Sequence, residues 1–160
     1  MPSFMKQITV MFLTHIVFGL LVGLVTAPFF NTGNYYLYLF WVVFASGLPD
    51  IDTPSSNYGR KLGYFSTILE VVFGHRGFFH SIWAALLFGG AVYYLFSHFI
   101  GIALLVGYVS HLLIDGLTKE GVNFIHPLKK LHMAGFIETG TVMEMVVFVI
   151  IVALIVMKLI

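Results

Sequence analysis

Apolar residues run almost unbroken through five stretches of the chain: about Gln7 to Phe30, Tyr35 to Leu48, Gly77 to Phe96, Phe99 to Leu117, and Thr141 to Ile160. A bilayer core needs about 20 apolar helical residues, and fewer where neighbouring protein covers one end. The pattern therefore predicts an all-α, polytopic membrane helical bundle of about five transmembrane helices. The second stretch is short and stops at Pro49. The first is longer than the roughly 7–15 residues of a signal-peptide core and carries no small-x-small cleavage site, so it reads as a retained span.

Two longer connections are polar. The one from Asp50 to Arg76 opens with a Pro-Ser-Ser-Asn turn signal. Leu62, Phe65, Ile68, Leu69, Val72 and Phe73 then recur at helical spacing, with Lys61 and Glu70 among the polar positions. That spacing predicts a short helix lying in the membrane interface, against the alternative of an ordinary linker. The connection from Lys119 to Gly140 holds Gly121, Pro127 and Gly135 and reads as irregular.

Composition agrees with lipid as the solvent. Of 160 residues, 59% are apolar and only 9% charged, and the mean hydropathy is +0.98. A water-soluble domain carries about a quarter charged residues. The length suits one helical domain over residues 1–160. A net charge of +1 gives no argument for a nucleic-acid partner. Cysteine is absent, which leaves histidine and carboxylates as the metal ligands available.

With five spans, the amino terminus and both long connections share one side. Seven of the eight basic residues fall there: Lys6, Arg60, Lys61, Arg76, Lys119, Lys129 and Lys130. Only Lys158 lies at the other end. The positive-inside rule makes the shared side cytoplasmic. Tyr35, Tyr36, Tyr38 and Trp41, with Tyr93 and Tyr94, form an aromatic belt on the opposite face.

The remaining ionisable groups collect near the cytoplasmic face. His15 lies about two turns into the first span, and Asp50 and Asp52 stand where the second ends. His75 and His80 flank the start of the third, with His80 a turn inside. His111 and Asp115 occupy the last turns of the fourth, and Glu144 the first turn of the fifth. An ionisable group inside a span costs about 2.5–3.5 kcal/mol unless it meets protein, water or an ion. Taken singly, each has a plainer role: a histidine can be a packing residue, Asp50-Ile-Asp52 can end a helix, and Glu144 can reach the interface. Together they describe a nitrogen- and oxygen-rich site for Zn, Mn or Fe, holding two or three ions rather than one. His111 and Asp115, four residues apart, share one helix face. His15, Gly19 and Gly23 share another, where the glycines admit a closely packed neighbour. His98 lies at the outer face, and His126 and His132 in the polar connection; these three are set aside.

The segments Leu48-Pro49-Asp50-Ile51-Asp52, His75-Arg76-Gly77-Phe78-Phe79-His80-Ser81 and Gly107-Tyr108-Val109-Ser110-His111-Leu112-Leu113-Ile114-Asp115 carry a likeness over nearly the whole chain. With Thr14-His15 and Thr139-Gly140 before Glu144, the sequence resembles the YdjM-like family, inner-membrane proteins read as metal-dependent hydrolases. The resemblance implies metal bound by His15, Asp50, Asp52, His75, His80, His111, Asp115 and Glu144. That family is in turn distantly similar to zinc-dependent phospholipase C, which implies a phosphoester as the scissile bond.

The function expected is therefore a membrane-embedded metal-dependent hydrolase, cutting a phosphoester in a lipid or lipid-linked substrate at the cytoplasmic face of the inner membrane. Arg76 is the expected phosphate clamp, and Asp52 or Glu144 the expected general base. Ser81, Ser110 and Thr118 are expected to orient ligands. The rivals are a proton or metal-ion transporter, and a non-catalytic protein with a structural metal site that binds a partner.

Overall fold

The computed structural model describes residues 3–30, 33–74, 76–128 and 131–160, with side chains from residue 11 onward. His75, Lys129 and Lys130 therefore lie outside the described residues, as does the Lys6 side chain. The chain is mostly helical, 72% of it. The helices are α1 (Ser3–Thr26), α2 (Tyr35–Ala45), α3 (Asn57–Leu62), α4 (Tyr64–Phe73), α5 (Ile82–Leu95), α6 (His98–Gly116) and α7 (Val142–Leu159). Two short strands, β1 (Val122–Asn123) and β2 (His132–Met133), pair antiparallel. The connection expected to be irregular thus contains a small hairpin, and an isolated bridge between Thr118, just past α6, and Ile137 closes the connection outside it.

Hydroxyl and amide side chains set where the helices begin. The Asn34 side chain accepts from the Leu37 amide at 3.0 Å, starting α2. Ser81 accepts from Ala84 at 3.4 Å, and Ser97 from Ile100 at the same distance. Each offers an oxygen to a backbone N–H that the first helical turn leaves unpaired. The Ser81 cap changes one expectation. The third apolar stretch was read as helical from Gly77, but α5 starts at Ile82, and His80 lies in a 3₁₀ turn before it. Likewise the connection helix is broken in two at Gly63, whose φ of 56° suits glycine.

α6 is the central rod. Its buried positions include Gly107, Tyr108, His111, Leu112 and Asp115, and it packs against α1, α2 and α5, while α7 lies on α1. Close approach depends on small residues: a Cβ at Gly107 would strike the Val42 carbonyl of α2, and one at Gly19 would come within 2.6 Å of Ser46. α4 turns the usual arrangement outward. Ser66 and Leu69 are buried, whereas Tyr64, Val71 and Val72 are largely exposed.

Among the described residues, three segments are long and apolar enough to cross a membrane: Met11–Phe29, His98–Gly116 and Val142–Leu159. α2 and α5 have 11 and 14 residues, or about 16 and 21 Å at about 1.5 Å per residue, against a hydrocarbon core of about 30 Å.

Candidate metal centre

Two tight turns deliver carboxylates and an imidazole to the end of α6. α2 ends at Ala45, and the chain tightens into a 3₁₀ turn over Leu48–Asp52 that carries Asp50 and Asp52. Two hydroxyls hold this turn: Ser56 Oγ donates to the Asp50 carbonyl and Ser66 Oγ to the Ile51 carbonyl, each at 2.7 Å. A second 3₁₀ turn, Phe78–His80, presents His80, and Tyr108 of α6 pins it by donating its hydroxyl to the Phe79 carbonyl at 2.7 Å. α1 supplies His15. Thus five of the expected site residues, His15, Asp50, His80, His111 and Asp115, meet in one place. Four of them are 1–3% exposed, and only the Asp50 side chain, at 15%, reaches outward.

The donor atoms form two overlapping triads. His15, His111 and Asp115 form one; Asp50, His80 and His111 form the other, with the ligand atoms of each within 4.8 Å of one another. His15 Nε2 lies 3.0 Å from Asp115 Oδ1, and His111 Nε2 lies 3.3 Å from Asp115 Oδ2. His80 Nε2 is 3.6 Å from both Asp50 Oδ1 and Asp115 Oδ2. His111 Nε2 is 3.8 Å from Asp50 Oδ1.

Backbone carbonyls fix which nitrogen faces inward. His15 Nδ1 donates to the Met11 carbonyl at 2.8 Å, and His111 Nδ1 to the Ser46 carbonyl at 2.7 Å. A proton held on Nδ1 leaves Nε2 with its lone pair toward the cluster, the arrangement that metal-binding histidines use. His80 faces carboxylates on both sides instead: its Nδ1 lies 3.4 Å from Asp52 Oδ2, while Nε2 faces Asp50 and Asp115. Asp52 is wholly buried and stands behind His80. It belongs to neither triad, and its Oδ2 faces His80 Nδ1.

Several of these atoms lack what burial demands. Asp52 Oδ2, both nitrogens of His80, His111 Nε2 and Asp115 Oδ2 are buried with no hydrogen-bond partner among the described residues. Buried polar atoms left so are rare and costly. A divalent cation bound here would satisfy these atoms and neutralise the carboxylates. The donor set of neutral imidazole and carboxylate fits Zn, Mn or Fe. One imidazole nitrogen serves one ion, so His111 can complete only one triad at a time.

The other expected residues fall as follows. Arg76 is largely enclosed, with Nη2 at 3.5 Å from Asp115 Oδ1 and Nη1 at 2.8 Å from Glu120 Oε2. Glu144 is buried but joins neither triad among the described residues. It accepts from Thr14 Oγ1 at 3.2 Å and from the Gly140 amide at 2.6 Å, tying α7 to α1. Thr118 donates to the Asp115 carbonyl at 2.7 Å and so steadies a ligand's backbone. Ser110 bonds the Gly107 carbonyl within its own helix, and Ser81 the Phe78 carbonyl. The Met11 and Ser46 carbonyls, Tyr108 and Glu120 were not foreseen. Only Glu120, an acidic residue next to Lys119 in the polar connection, carried any sequence signal.

Fold and site together define a helical membrane protein with a buried histidine–aspartate centre at one end of its bundle. The chain belongs to the YdjM inner membrane protein family, which it matches over residues 10–160, and this places it in the inner membrane. It is 42% identical over 91 residues to the inner membrane protein YdjM of Escherichia coli (strain K12), covering 51% of this chain and 45% of that one. The YdjM of Shigella flexneri matches equally. The uncharacterized protein YvsG of Bacillus subtilis (strain 168) is 31% identical over 102 residues, covering 62% of this chain and 64% of that protein. The chain thus spans less than two thirds of the relatives' length. No solved structure matches it.

Proposed function

We propose that this protein is a membrane-embedded metal-dependent hydrolase acting on a phosphoester of a lipid or lipid-linked substrate at the cytoplasmic face. The observation that carries the reading is the convergence of three inward-facing imidazoles and two carboxylates, buried together with unpaired donor atoms. A purely structural ion would be served by four ligands; five convergent side chains in overlapping triads favour two ions with open positions. Divalent ions bound there would lower the pKa of water toward neutrality and offset charge developing on phosphorus.

The chain's own groups do the rest. His15, Asp115 and His111 would hold one ion, and Asp50 and His80 the other. Asp52 orients His80. Asp50 lines an adjoining pocket with Thr53, Ser55 and Asn57, so water and protons enter there, and Asp50 is better placed than buried Asp52 or Glu144 to pass a proton outward. The membrane arrangement extends the same reading. α2 and α5, lengthened by their turns, complete five crossings. Arg60, Lys61, Arg76 and Lys119 put the cluster end in the cytoplasm, and α4 lies in the interface with its exposed apolar face in lipid.

Hydrolysis tests it. Purified protein should release product from a phosphodiester or phospholipid with Zn or Mn, lose activity with chelator, and lose it in Asp115→Asn. Stoichiometric metal binding without hydrolysis of any phosphoester would leave a structural site and refute the enzyme.

A further inference from the structure

Beside the cluster lies an open groove lined by Arg76, Glu120, Gly121, Val122, Asn123 and His132. Arg76 forms its inner wall. Its backbone holds φ at 52°, a left-handed conformation rare outside glycine. Such strain persists only where the surroundings over-determine it, and it concentrates at functional sites. Its effect is to set the guanidinium, 13% exposed, between the buried Asp115 and the open groove. One nitrogen, Nη2, faces Asp115 Oδ1 at 3.5 Å. The other, Nη1, faces outward; it meets Glu120 Oε2 at 2.8 Å and the Gly121 carbonyl at 3.4 Å.

We infer that the outward edge of Arg76 is an oxyanion subsite for the substrate's phosphate, and that the Glu120 carboxylate occupies it as an internal stand-in until a phosphate displaces it. This rests on the reading of the cluster as a phosphoester-cleaving centre. Guanidinium pairs with carboxylate and phosphate through the same planar fork of N–H donors. Glu120 is the weaker occupant. Its side chain is 59% exposed, and a pair with so much water around one member is held loosely. A phosphate carries more charge and more acceptor oxygens, and a dication beside Asp115 would add to its attraction. His132 on the far strand is a second group able to reach an anion in the groove. Glu120 is the groove's carboxylate, so it selects against weak anions while a phosphate competes successfully.

Binding without turnover tests this. Metal-loaded, full-length protein in detergent is titrated calorimetrically with inorganic phosphate, and in a second arm with dihexanoyl phosphatidic acid. Glu120→Gln should tighten phosphate binding by about 5-fold, the most that an exposed ion pair of about 1 kcal/mol would oppose. Adding Arg76→Gln to that variant should abolish the gain. Glu138→Gln, whose partner is Lys119, should change nothing. Tightening for the lipid alone assigns the subsite to headgroups, and tightening for both assigns it to phosphate in general. Unchanged or weaker binding in Glu120→Gln, with metal content and thermal midpoint preserved, would make Glu120 a structural brace and overturn the inference. Tightening in a protein that hydrolyses nothing would keep the subsite while removing the hydrolase.

Discussion

Replacing His111 with alanine removes the imidazole common to both donor triads. Its Nε2 lies 3.3 Å from Asp115 and its Nδ1 holds the Ser46 carbonyl at 2.7 Å, so a direct ligand and its anchor go together. Loss of a partner that only orients a ligand costs about 10–100-fold in metal affinity; loss of the ligand should cost at least the upper figure. At a free metal concentration of about 100 times the dissociation constant, binding stabilises the wild type by about 2.7 kcal/mol. A 100-fold weaker variant at that concentration gains only about 0.4 kcal/mol from the same relation. The difference of about 2.3 kcal/mol corresponds to a metal-induced rise in Tm smaller by roughly 5–9 °C, at about 2–4 °C per kcal/mol for a chain of this size. Thermal melts with Zn or Mn and with chelator, paired with elemental analysis, read both quantities. His98→Ala, at the opposite end of α6, is the control. A His111→Ala protein with wild-type metal content and an undiminished Tm rise would refute the reasoning.

Three further outcomes follow from the geometry. Asp52→Asn should keep the fold but weaken metal binding by about 10–100-fold, because His80 loses the carboxylate behind it; competition with a metal-sensing dye measures this. Metal affinity should rise with pH through the ordinary imidazole range, because the histidines of the triads must be deprotonated to bind an ion; the same dye titration at several pH values measures this. Glu144→Ala should leave metal content unchanged and destabilise the fold by about 1–3 kcal/mol, since the Thr14 hydroxyl and the part-buried Gly140 amide lose their acceptor; elemental analysis with thermal melts separates the two effects.

Much of the site was legible because charge is conspicuous in an apolar chain. His15, Asp50, His80, His111 and Asp115 stand out at one depth in the sequence, and they are the residues the structure brings together. The His111–Asp115 spacing gave their shared face directly. What periodicity could not reveal was the division of labour. Asp50 and Asp52 look equivalent in Pro-Asp-Ile-Asp, and only the path of the turn sends one into a triad and the other behind His80. The anchors of His15 and His111 are backbone carbonyls, which leave no trace in residue identity. Glu144 looked like a ligand by depth alone, yet its partners are Thr14 and Gly140. The start of α5 was readable in principle from Ser81 standing before an apolar run. The two-residue strands are too short for alternation to register.

The unequal burial of the helices has an evolutionary corollary. Eleven positions of α6 are buried, among them two of the centre's side chains, His111 and Asp115, and three glycines, Gly101, Gly107 and Gly116. α7 buries only Glu144, Ile151 and Ile155. Drift among related genes should therefore be slowest along α6, while most of α7 exchanges freely among Val, Ile, Leu and Met, constrained chiefly by the need to stay greasy.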